Sequence, residues 1–223
     1  ARERATADLK SYLMPMIEQR RGSDAGDVLT TVANAELDGR PLSDEMACGM
    51  AYLLVVAGID TTWSALGTAL WHLGTHPGDL ARLVAQPELL PVAVEEFLRL
   101  YAPVSVGRIA TTDTELAGCP IKAGDRLLVP FGSANRDGTH IDRPDEFVLD
   151  RDSIRHAAFG LGIHRCLGSN LARLELRVAL EEWLAAFPRY SVVDPAAITW
   201  TVGHVRGPHA VPIEVGDGSR GGA

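Results

Sequence analysis

The longest helix that the sequence predicts covers residues 44–74, which contain no proline. Ser43 precedes this segment as an N-cap candidate, and Asp44 and Glu45 fall in its first turn, where carboxylates are favourable. At 1.5 Å per residue, these 31 residues would form a helix about 46 Å long. Apolar residues surround its middle on every side, so it must cross the centre of a larger molecule. Its longest uncharged run, residues 46–59, is shorter than the about 20 residues of a bilayer span, which favours a buried helix.

Composition indicates a soluble globular protein. Of the 223 residues, 46% are hydrophobic and 22% are charged, which excludes disorder and collagen-like repeats. The formal net charge of −8 argues against non-specific nucleic-acid binding, because such binding depends on Lys and Arg. Three widely spaced cysteines form no disulfide framework and indicate a reducing, cytoplasmic compartment. The first residues lack the apolar core of a secretory signal, so we expect no membrane segment.

The remaining pattern predicts helices followed by hairpins. Apolar residues at helical spacing predict further helices over residues 9–20, 27–37, 78–85, 94–102 and 167–187, the last with Leu171, Leu174 and Val178 on one face. Residues 104–131 are rich in β-branched and turn residues and predict hairpins, whereas residues 132–158 predict a long coil, which is uncommon unless functional. One more hairpin precedes a glycine-rich tail, residues 216–223, which we expect to be flexible. A single domain is predicted over residues 1–223.

The sharpest local signal is the sequence FGLGIHRCLG, residues 159–168, between the coil and the last helix. A cysteine at a helix N-terminus faces backbone N–H groups and the positive end of the helix dipole, which stabilise its thiolate. The glycines around Cys166 let the backbone approach something flat and large. Such a thiolate suits a soft metal centre, of which haem iron is one example, or attack on an electrophile. Zinc is a weaker alternative because only His164 accompanies Cys166; Cys48 and Cys119 are interpreted as structural.

Two further segments carry polar residues in a helical context. Residues 57–62, AGIDTT, put a carboxylate and hydroxyls into an otherwise apolar helix, where unpaired polar groups are costly. Either this segment is a kink satisfied by nearby backbone, or Asp60 and Thr61 deliver protons beside a reaction centre. Glu96 and Arg99 are three residues apart, a spacing that by itself indicates only a surface ion pair.

Taken in order, these segments resemble the cytochrome P450 superfamily, the haem-thiolate monooxygenases. Residues 159–168 match the family pattern FGxGxHxCxG at every defined position, and residues 57–62 resemble its AGxDTT motif. Residues 96–99 match the ExxR helix, and the Asn-Arg-Asp of residues 135–137 resembles the segment after the hairpins. The resemblance, which runs over residues 9–215, implies a mainly α fold with small β-sheets. Family members are about twice as long, so we expect the chain to be a C-terminal portion, with the N-terminal part absent.

The resemblance implies roles at the cofactor. Cys166 would ligate the iron of haem b, with Phe159 packed on the sulfur side. Asp60 and Thr61 would form an acid–alcohol pair that relays protons to dioxygen. The other residues implied at the haem are Arg108 and His164, which would hold its propionates, and Gly160, Gly162 and Gly168, which would admit the porphyrin.

The resemblance also implies a structural network. Glu96 and Arg99 would tie their helix to the coil before the cysteine. Glu146 stands where the family commonly has a basic residue that completes this network. Arg143 and Arg151 are the two candidates to replace it.

A hydrophobic organic substrate is expected, because most positions implied to face it are apolar. These positions are Leu53, Val56, Ala57, Val104, Val106, His204 and Val205. The implied reaction inserts one atom of O₂ into that substrate. No flavin or iron–sulfur segment is evident, so the electrons would come from a separate ferredoxin-type donor with its reductase. Arg155 and Arg165 are either its contacts or ordinary solvated arginines. The alternatives are a peroxide-using haem-thiolate enzyme, which would not need Asp60 and Thr61, and a non-catalytic truncated product.

Overall fold

The computed structural model describes residues 2–216, and helices dominate it. In chain order the helices are α1 (Arg2–Arg20), α2 (Val28–Ala33), α3 (Asp44–Thr75), α4 (Pro77–Ala85), α5 (Leu90–Leu100), α6 (Phe131–Ala134) and α7 (Ser169–Ala186). The strands are β1 (Glu36–Leu37), β2 (Arg40–Pro41), β3 (Ser105–Ile109), β4 (Thr114–Leu116), β5 (Cys119–Ile121), β6 (Arg126–Pro130), β7 (Tyr190–Val192) and β8 (Ile213–Val215). They pair antiparallel as β1–β2, β3–β6, β4–β5 and β7–β8. The predicted class, mainly α with small β-sheets, is confirmed.

The chain divides into two compact units, Ala1–Ile59 and Asp60–Ala223, with the boundary inside α3. The single domain expected over residues 1–223 stays a prediction. Apart from Gly216, the tail expected to be flexible, residues 216–223, lies outside the described residues.

In the first unit, α1, α2 and the start of α3 share a small core. Its buried residues are Leu13, Ile17, Val32, Ala33, Ala47, Cys48 and Ala51. Asp27 caps α2 by accepting the Thr30 N–H at 2.6 Å. The helix predicted over residues 27–37 is wrong at its end, because Glu36–Leu37 is strand β1. Asp38 and Gly39 turn the chain back with φ of 54° and 72°, the positive values that a tight hairpin turn requires.

Helix α3 begins where the sequence predicts, since Ser43 Oγ accepts the Met46 N–H at 3.2 Å. It runs unbroken through Gly58 to its end. Among the described residues it is the one helix long and apolar enough to cross a membrane, and 17% of its most apolar 18-residue window is buried. Leu53 and Ile59 are largely exposed. The middle of α3 is therefore uncovered among the described residues, and its burial inside a larger molecule stays a prediction.

In the second unit, α5 and α7 pack together with the end of α3 and with α4. The largest fully buried apolar side chains of this unit are Leu73, Leu83, Leu90, Leu149 and Leu180. Val94, Phe97 and Leu98 are buried as predicted for α5. For α7 the predicted face is wrong: Leu171, Leu174 and Val178 are exposed, whereas Leu176, Leu180 and Leu184 are buried. This helix carries two apolar stripes, and spacing alone does not tell which one packs.

The hairpins predicted in residues 104–131 are confirmed as the pairs β3–β6 and β4–β5. Their register places Val106 opposite Val129 and Arg108 opposite Leu127. The predicted coil opens with the short helix α6 and then continues without regular structure through residues 135–158. The last predicted hairpin is confirmed as β7–β8.

Candidate functional site

A closed ion-pair network occupies the inner face of α5. Arg99 donates from Nε to Glu96 Oε2 at 2.7 Å and from Nη2 to Glu96 Oε1 at 2.8 Å. Its remaining N–H groups bond backbone carbonyls of the coil, namely those of Asn135 (3.2 Å), Pro144 (2.6 Å) and Glu146 (2.7 Å). A guanidinium has five N–H donors, so every one of them has an acceptor here. Both side chains are 0% exposed, so the pair is structural rather than a surface pair.

Arg151 is the third member of this network. Its Nε lies 3.1 Å from Glu96 Oε1, and its other nitrogens bond the carbonyls of Asp142 and Arg143 at 2.6 and 3.1 Å. Arg143 instead points its exposed side chain at Asp142 and Glu146. Glu146 contributes its backbone carbonyl to Arg99. Arg151, and not Arg143, therefore takes the place of the basic residue that the family commonly has at the position of Glu146.

The pKa of Glu96 lies below its ordinary value. Burial by itself would raise this pKa, but hydrogen bonds from Arg99 and from the Val148 N–H outweigh it, together with the charges of Arg99 and Arg151. Glu96 thus stays ionised at neutral pH inside the protein, because the network supplies a partner for each of its oxygens.

Asn135 connects this network to the segment before the cysteine. Its carbonyl accepts from Arg99, and its side-chain Oδ1 accepts the Ala157 N–H at 2.7 Å. Ala157 lies two residues before Phe159, where the FGLGIHRCLG sequence begins. One residue, Asn135, therefore joins the buried network to the segment just before the cysteine loop, residues 159–168.

The cysteine loop folds back on itself. Cys166 N–H donates to the Phe159 carbonyl at 2.8 Å, which closes the loop. Gly160 and Gly162 adopt φ of 68° and 69°, values that favour glycine. A Cβ on Gly160 would lie 3.6 Å from the His164 carbonyl, and a Cβ on Gly168 would lie 4.0 Å from Cys166 Sγ. All six site residues predicted within residues 159–168 thus lie in one loop closed by the Cys166–Phe159 hydrogen bond.

Helix α7 begins directly after this loop, with Gly168 at its N-cap. The Gly168 carbonyl accepts the Ala172 N–H at 2.9 Å, the first bond of the helix. Cys166 therefore stands two residues before the N-cap, with an exposed thiol. The predicted position of this cysteine at a helix N-terminus is what the structure shows.

The two side chains predicted to bind propionates lie in different elements. Arg108 is an exposed residue of β3 whose Nη1 donates to its neighbouring Gly107 carbonyl at 2.9 Å. His164 is an exposed residue of the cysteine loop. The Arg108 guanidinium and the His164 imidazole are therefore both exposed and can contact a bound carboxylate.

Asp60 and Thr61 are consecutive residues of α3. The Asp60 carboxylate is exposed and Thr61 is half-buried. The helix is continuous around them. Their place relative to Cys166 stays a prediction.

The predicted substrate positions fall in two groups. Val104 pairs with Val205 in an antiparallel bridge, and the Ser105 N–H donates to the His204 carbonyl at 3.0 Å, so this group, with Val106, is one continuous strip. The other group lies on α3 and comprises Leu53, Val56 and Ala57, all exposed.

Comparison with known proteins decides the family. The family model for cytochrome P450 matches residues 1–193. The chain is 37% identical over 206 residues to a probable cytochrome P450 127A1 of Sinorhizobium fredii, covering 92% of this chain and 50% of that protein. The chain belongs to the cytochrome P450 family.

Two other P450 proteins extend this comparison. Cytochrome P450 monooxygenase PikC of Streptomyces venezuelae is 38% identical over 214 residues, covering 94% of this chain and 51% of that protein. The crystal structure of CYP109E1 from Bacillus megaterium in complex with testosterone superposes with a TM-score of 0.88 at 32% identity, covering 96% of this chain and 60% of that one. The chain spans about half the length of the curated P450 relatives it matches.

The P450 family implies a haem cofactor, and the residues of the cysteine loop fit one. Beside the exposed Cys166 thiol, Ile163 is 97% exposed and Leu167 is 85% exposed, and Leu161 and Leu171 are also uncovered. Large apolar side chains around a thiol favour a flat apolar partner. The described residues contain no group of three or more His, Cys, Asp or Glu that could hold a metal ion. Haem iron would fit Cys166 because it brings most of its own ligands with it.

Sequence reasoning missed three residues that connect α5 to the segments on either side of the cysteine loop, namely Glu95, His156 and Arg173. Glu95 of α5 binds both His156, before the loop, and Arg173, on α7. No spacing rule links residues so far apart in the sequence. The available signal was the position of Glu95 next to Glu96 in the ExxR helix, which puts a second carboxylate at the same junction.

Proposed function

We propose that this chain carries the haem-thiolate part of a monooxygenase that inserts one atom of dioxygen into a hydrophobic organic substrate. The observation that supports this most strongly is the exposed Cys166 thiol, set among uncovered apolar side chains at the start of α7. Haem b, when bound, would supply the iron centre at which dioxygen is activated. Membership of the P450 family supports this proposal.

Cys166 would ligate the iron through Sγ. Cys166 lies two residues before the N-cap of α7, and backbone N–H groups and the helix dipole at a helix N-terminus favour negative charge. Gly160, Gly162 and Gly168 would leave room for the porphyrin, and Phe159 would cover the sulfur from the protein side. The loop would thereby orient the thiolate towards the iron.

Arg108 and His164 would hold the two haem propionates. Both side chains are exposed, and charge-assisted hydrogen bonds to carboxylates are among the stronger hydrogen bonds in proteins. Arg108 stands on a strand whose partner β6 fixes its direction. The two residues would thus set the orientation of the ring.

Asp60 and Thr61 would move protons. The carboxylate takes a proton from solvent, to which it is exposed, and Thr61 Oγ1 passes a proton to the dioxygen substrate. Coupled delivery of protons would direct the oxygen atom into the organic substrate instead of into hydrogen peroxide.

A hydrophobic substrate is proposed because the strip formed by Val104, Val106 and Val205 is apolar, with His204 beside it, and because Leu53, Val56 and Ala57 add an apolar surface on α3. The testosterone bound by CYP109E1 is a hydrophobic molecule of this kind. A separate ferredoxin-type donor with its reductase would supply electrons, and the exposed Arg155 and Arg165 near the loop are the proposed contacts. We place the protein in the cytoplasm, in keeping with its bacterial P450 relatives.

The test compares Thr61→Ala with its neighbour Thr62→Ala in the haem-loaded protein. Product formed per electron pair is measured with an electron donor, alongside the hydrogen peroxide released. We expect Thr61→Ala to lower product and raise hydrogen peroxide, and Thr62→Ala to behave as wild type, because only Thr61 holds the relay position. Equal losses in both variants would remove Thr61 from the mechanism.

The same assay separates the alternatives. Wild-type turnover with hydrogen peroxide that equals turnover with electrons would favour the peroxide-using enzyme. A protein that binds no haem and forms no product under either condition would be a non-catalytic one. Electron-driven turnover well above peroxide-driven turnover is the expected result.

A further inference from the structure

Glu95 and Glu96 are adjacent on α5 but serve different partners. Glu96 binds Arg99 and Arg151, whereas Glu95 Oε1 accepts from Arg173 Nε at 2.5 Å and Glu95 Oε2 accepts from Arg173 Nη2 at 3.0 Å. This fork-to-fork pair joins α5 to α7 across 78 residues of sequence. Such geometry fixes the guanidinium plane more firmly than a single contact does.

His156 completes the set, which we call the loop clamp: Glu95, His156, Phe159 and Arg173. The Ala158 N–H donates to His156 Nδ1 at 3.2 Å, so Nδ1 is the unprotonated ring nitrogen. Nε2 therefore carries the proton and donates it to Glu95 Oε2 at 3.0 Å. Because this imidazole is almost fully buried, it holds the backbone just before Phe159 in one orientation.

Arg173 reaches the cysteine loop directly. Its guanidinium carbon lies 4.6 Å from the centroid of the Phe159 ring, a cation–π contact. The Phe159 carbonyl in turn accepts the Cys166 N–H. Glu95, Arg173, Phe159 and Cys166 therefore form one continuous series of contacts.

The charges in the clamp interact with each other and with the cysteine. The pKa of Glu95 is lowered to about 2: burial alone would raise it, but hydrogen bonds from His156 and Arg173, with the charge of Arg173, outweigh burial. The pKa of Arg173 is raised, mainly by its hydrogen bond to Glu95, and the charge of Cys166 adds to this rise. Arg173 thus carries its positive charge within electrostatic reach of the sulfur.

We propose that Glu95 and Arg173 are positioning residues that balance the charge beside Cys166 and thereby set the reduction potential of the haem that this loop binds. The proposal rests on the haem-thiolate function above. Arg173 lowers the electron density that the thiolate gives to the iron, and Glu95 offsets part of that effect.

The proposal predicts that substitutions of Arg173 and Glu95 shift the haem reduction potential in opposite directions. Arg173→Met removes a positive charge beside the thiolate and leaves Glu95 uncompensated, so the ferric state is favoured and the potential becomes more negative. Glu95→Gln keeps the shape of the side chain but leaves Arg173 uncompensated, so the potential becomes more positive. A clamp that only holds the loop in place would move the potential in the same direction in both variants, because each loosens the same contacts.

The experiment measures the midpoint reduction potential and the ferrous–CO absorption spectrum of the haem-loaded protein. The variants are Arg173→Met, Arg173→Lys and Glu95→Gln, with Arg177→Met as the matched control. Arg177 lies one turn further along α7, half-exposed, and pairs with Glu181 at 3.6 Å, away from the clamp. We expect opposite shifts for Arg173→Met and Glu95→Gln, a smaller shift for Arg173→Lys, and none for the control.

Two outcomes would overturn the proposal: shifts of the same sign in Arg173→Met and Glu95→Gln, or shifts no larger than that of Arg177→Met. If Arg173→Met binds no haem, the sign of the Glu95→Gln shift decides, since this variant keeps the packing, and a negative or absent shift contradicts us. Failure of the underlying function has a different signature, because wild type itself would then lack the CO band of a thiolate ligand.

Discussion

The buried network around Arg99 and the cysteine loop use charged or ionisable groups in opposite ways. Arg99 and Glu96 are fully buried, and each donor and acceptor between them has a partner within the chain. Cys166 is exposed, and its neighbours Ile163 and Leu167 are exposed too. The first region is complete as the chain stands, whereas the second presents a surface that fits a group from outside. This difference separates residues that hold the P450 fold from residues that we propose carry its chemistry.

Removing Arg99 should have the largest effect on stability. Arg99→Met leaves the buried Glu96 without its main partner, and breaking such a pair costs about 3–5 kcal/mol in free energy of unfolding. Chemical denaturation of the haem-loaded protein measures this loss against Arg177→Met, which removes an exposed pair. Failure to recover folded Arg99→Met while Arg177→Met is recovered counts as the same result. A loss below about 1 kcal/mol would mean that the network is not essential to the fold.

A second closed cluster extends the comparison to pH. His72 is buried, accepts from the Tyr101 hydroxyl at 2.7 Å through Nδ1, and donates to Asp79 Oδ2 at 2.9 Å through Nε2. Burial lowers the pKa of His72 to about 4, although Asp79 opposes this. Between pH 6.5 and 4, His72 is therefore protonated in the unfolded chain but neutral in the folded protein.

Stability should therefore be fully present above pH 6.5 and be lost as pH falls towards 4, by about 3 kcal/mol from this residue. Unfolding curves of wild type and His72→Gln over this range provide the measurement. The variant should lack this part of the slope. Identical pH slopes in the two proteins would show that His72 does not titrate in this way.

Substitutions of Arg151 and Arg143 should change the free energy of unfolding by different, smaller amounts. Arg151 touches Glu96 inside the network, so Arg151→Met should cost about 2 kcal/mol, as expected for hydrogen bonds to a charged group. Arg143 pairs with exposed carboxylates, so Arg143→Met should cost less than about 0.5 kcal/mol. Unfolding free energies measured side by side decide which arginine replaces the family's basic residue. Equal losses would contradict the assignment to Arg151.

The sequence was most informative where a local pattern carries the structure. The N-cap at Ser43, the unbroken length of α3, the buried face of α5 and the loop before α7 all follow from spacing or capping chemistry. The motif residues Glu96 and Arg99 were identified, but their burial was not. A Glu and an Arg three residues apart have the same spacing whether the pair lies on a surface or in a core.

Tertiary contacts decided the rest. Which apolar stripe of α7 packs depends on α5, and the choice of Arg151 over Arg143 depends on how the coil passes Glu96. Glu95, His156 and Arg173 lie in three separate elements, so only the folded chain shows that they meet. Composition reports how apolar α3 is and not what covers it, so the burial of its middle stays a prediction.

The smallest expected change in stability belongs to Cys166→Ser, because an exposed thiol contributes little to packing, and this variant gives the most direct test of the account. The measurement is the ferrous–CO absorption spectrum of wild type, Cys166→Ser and Cys119→Ser, the last being a second exposed cysteine as control. We predict the red-shifted Soret band of thiolate ligation in wild type and Cys119→Ser, and its loss in Cys166→Ser. Retention of that band in Cys166→Ser would contradict the assignment of Cys166 as the haem ligand.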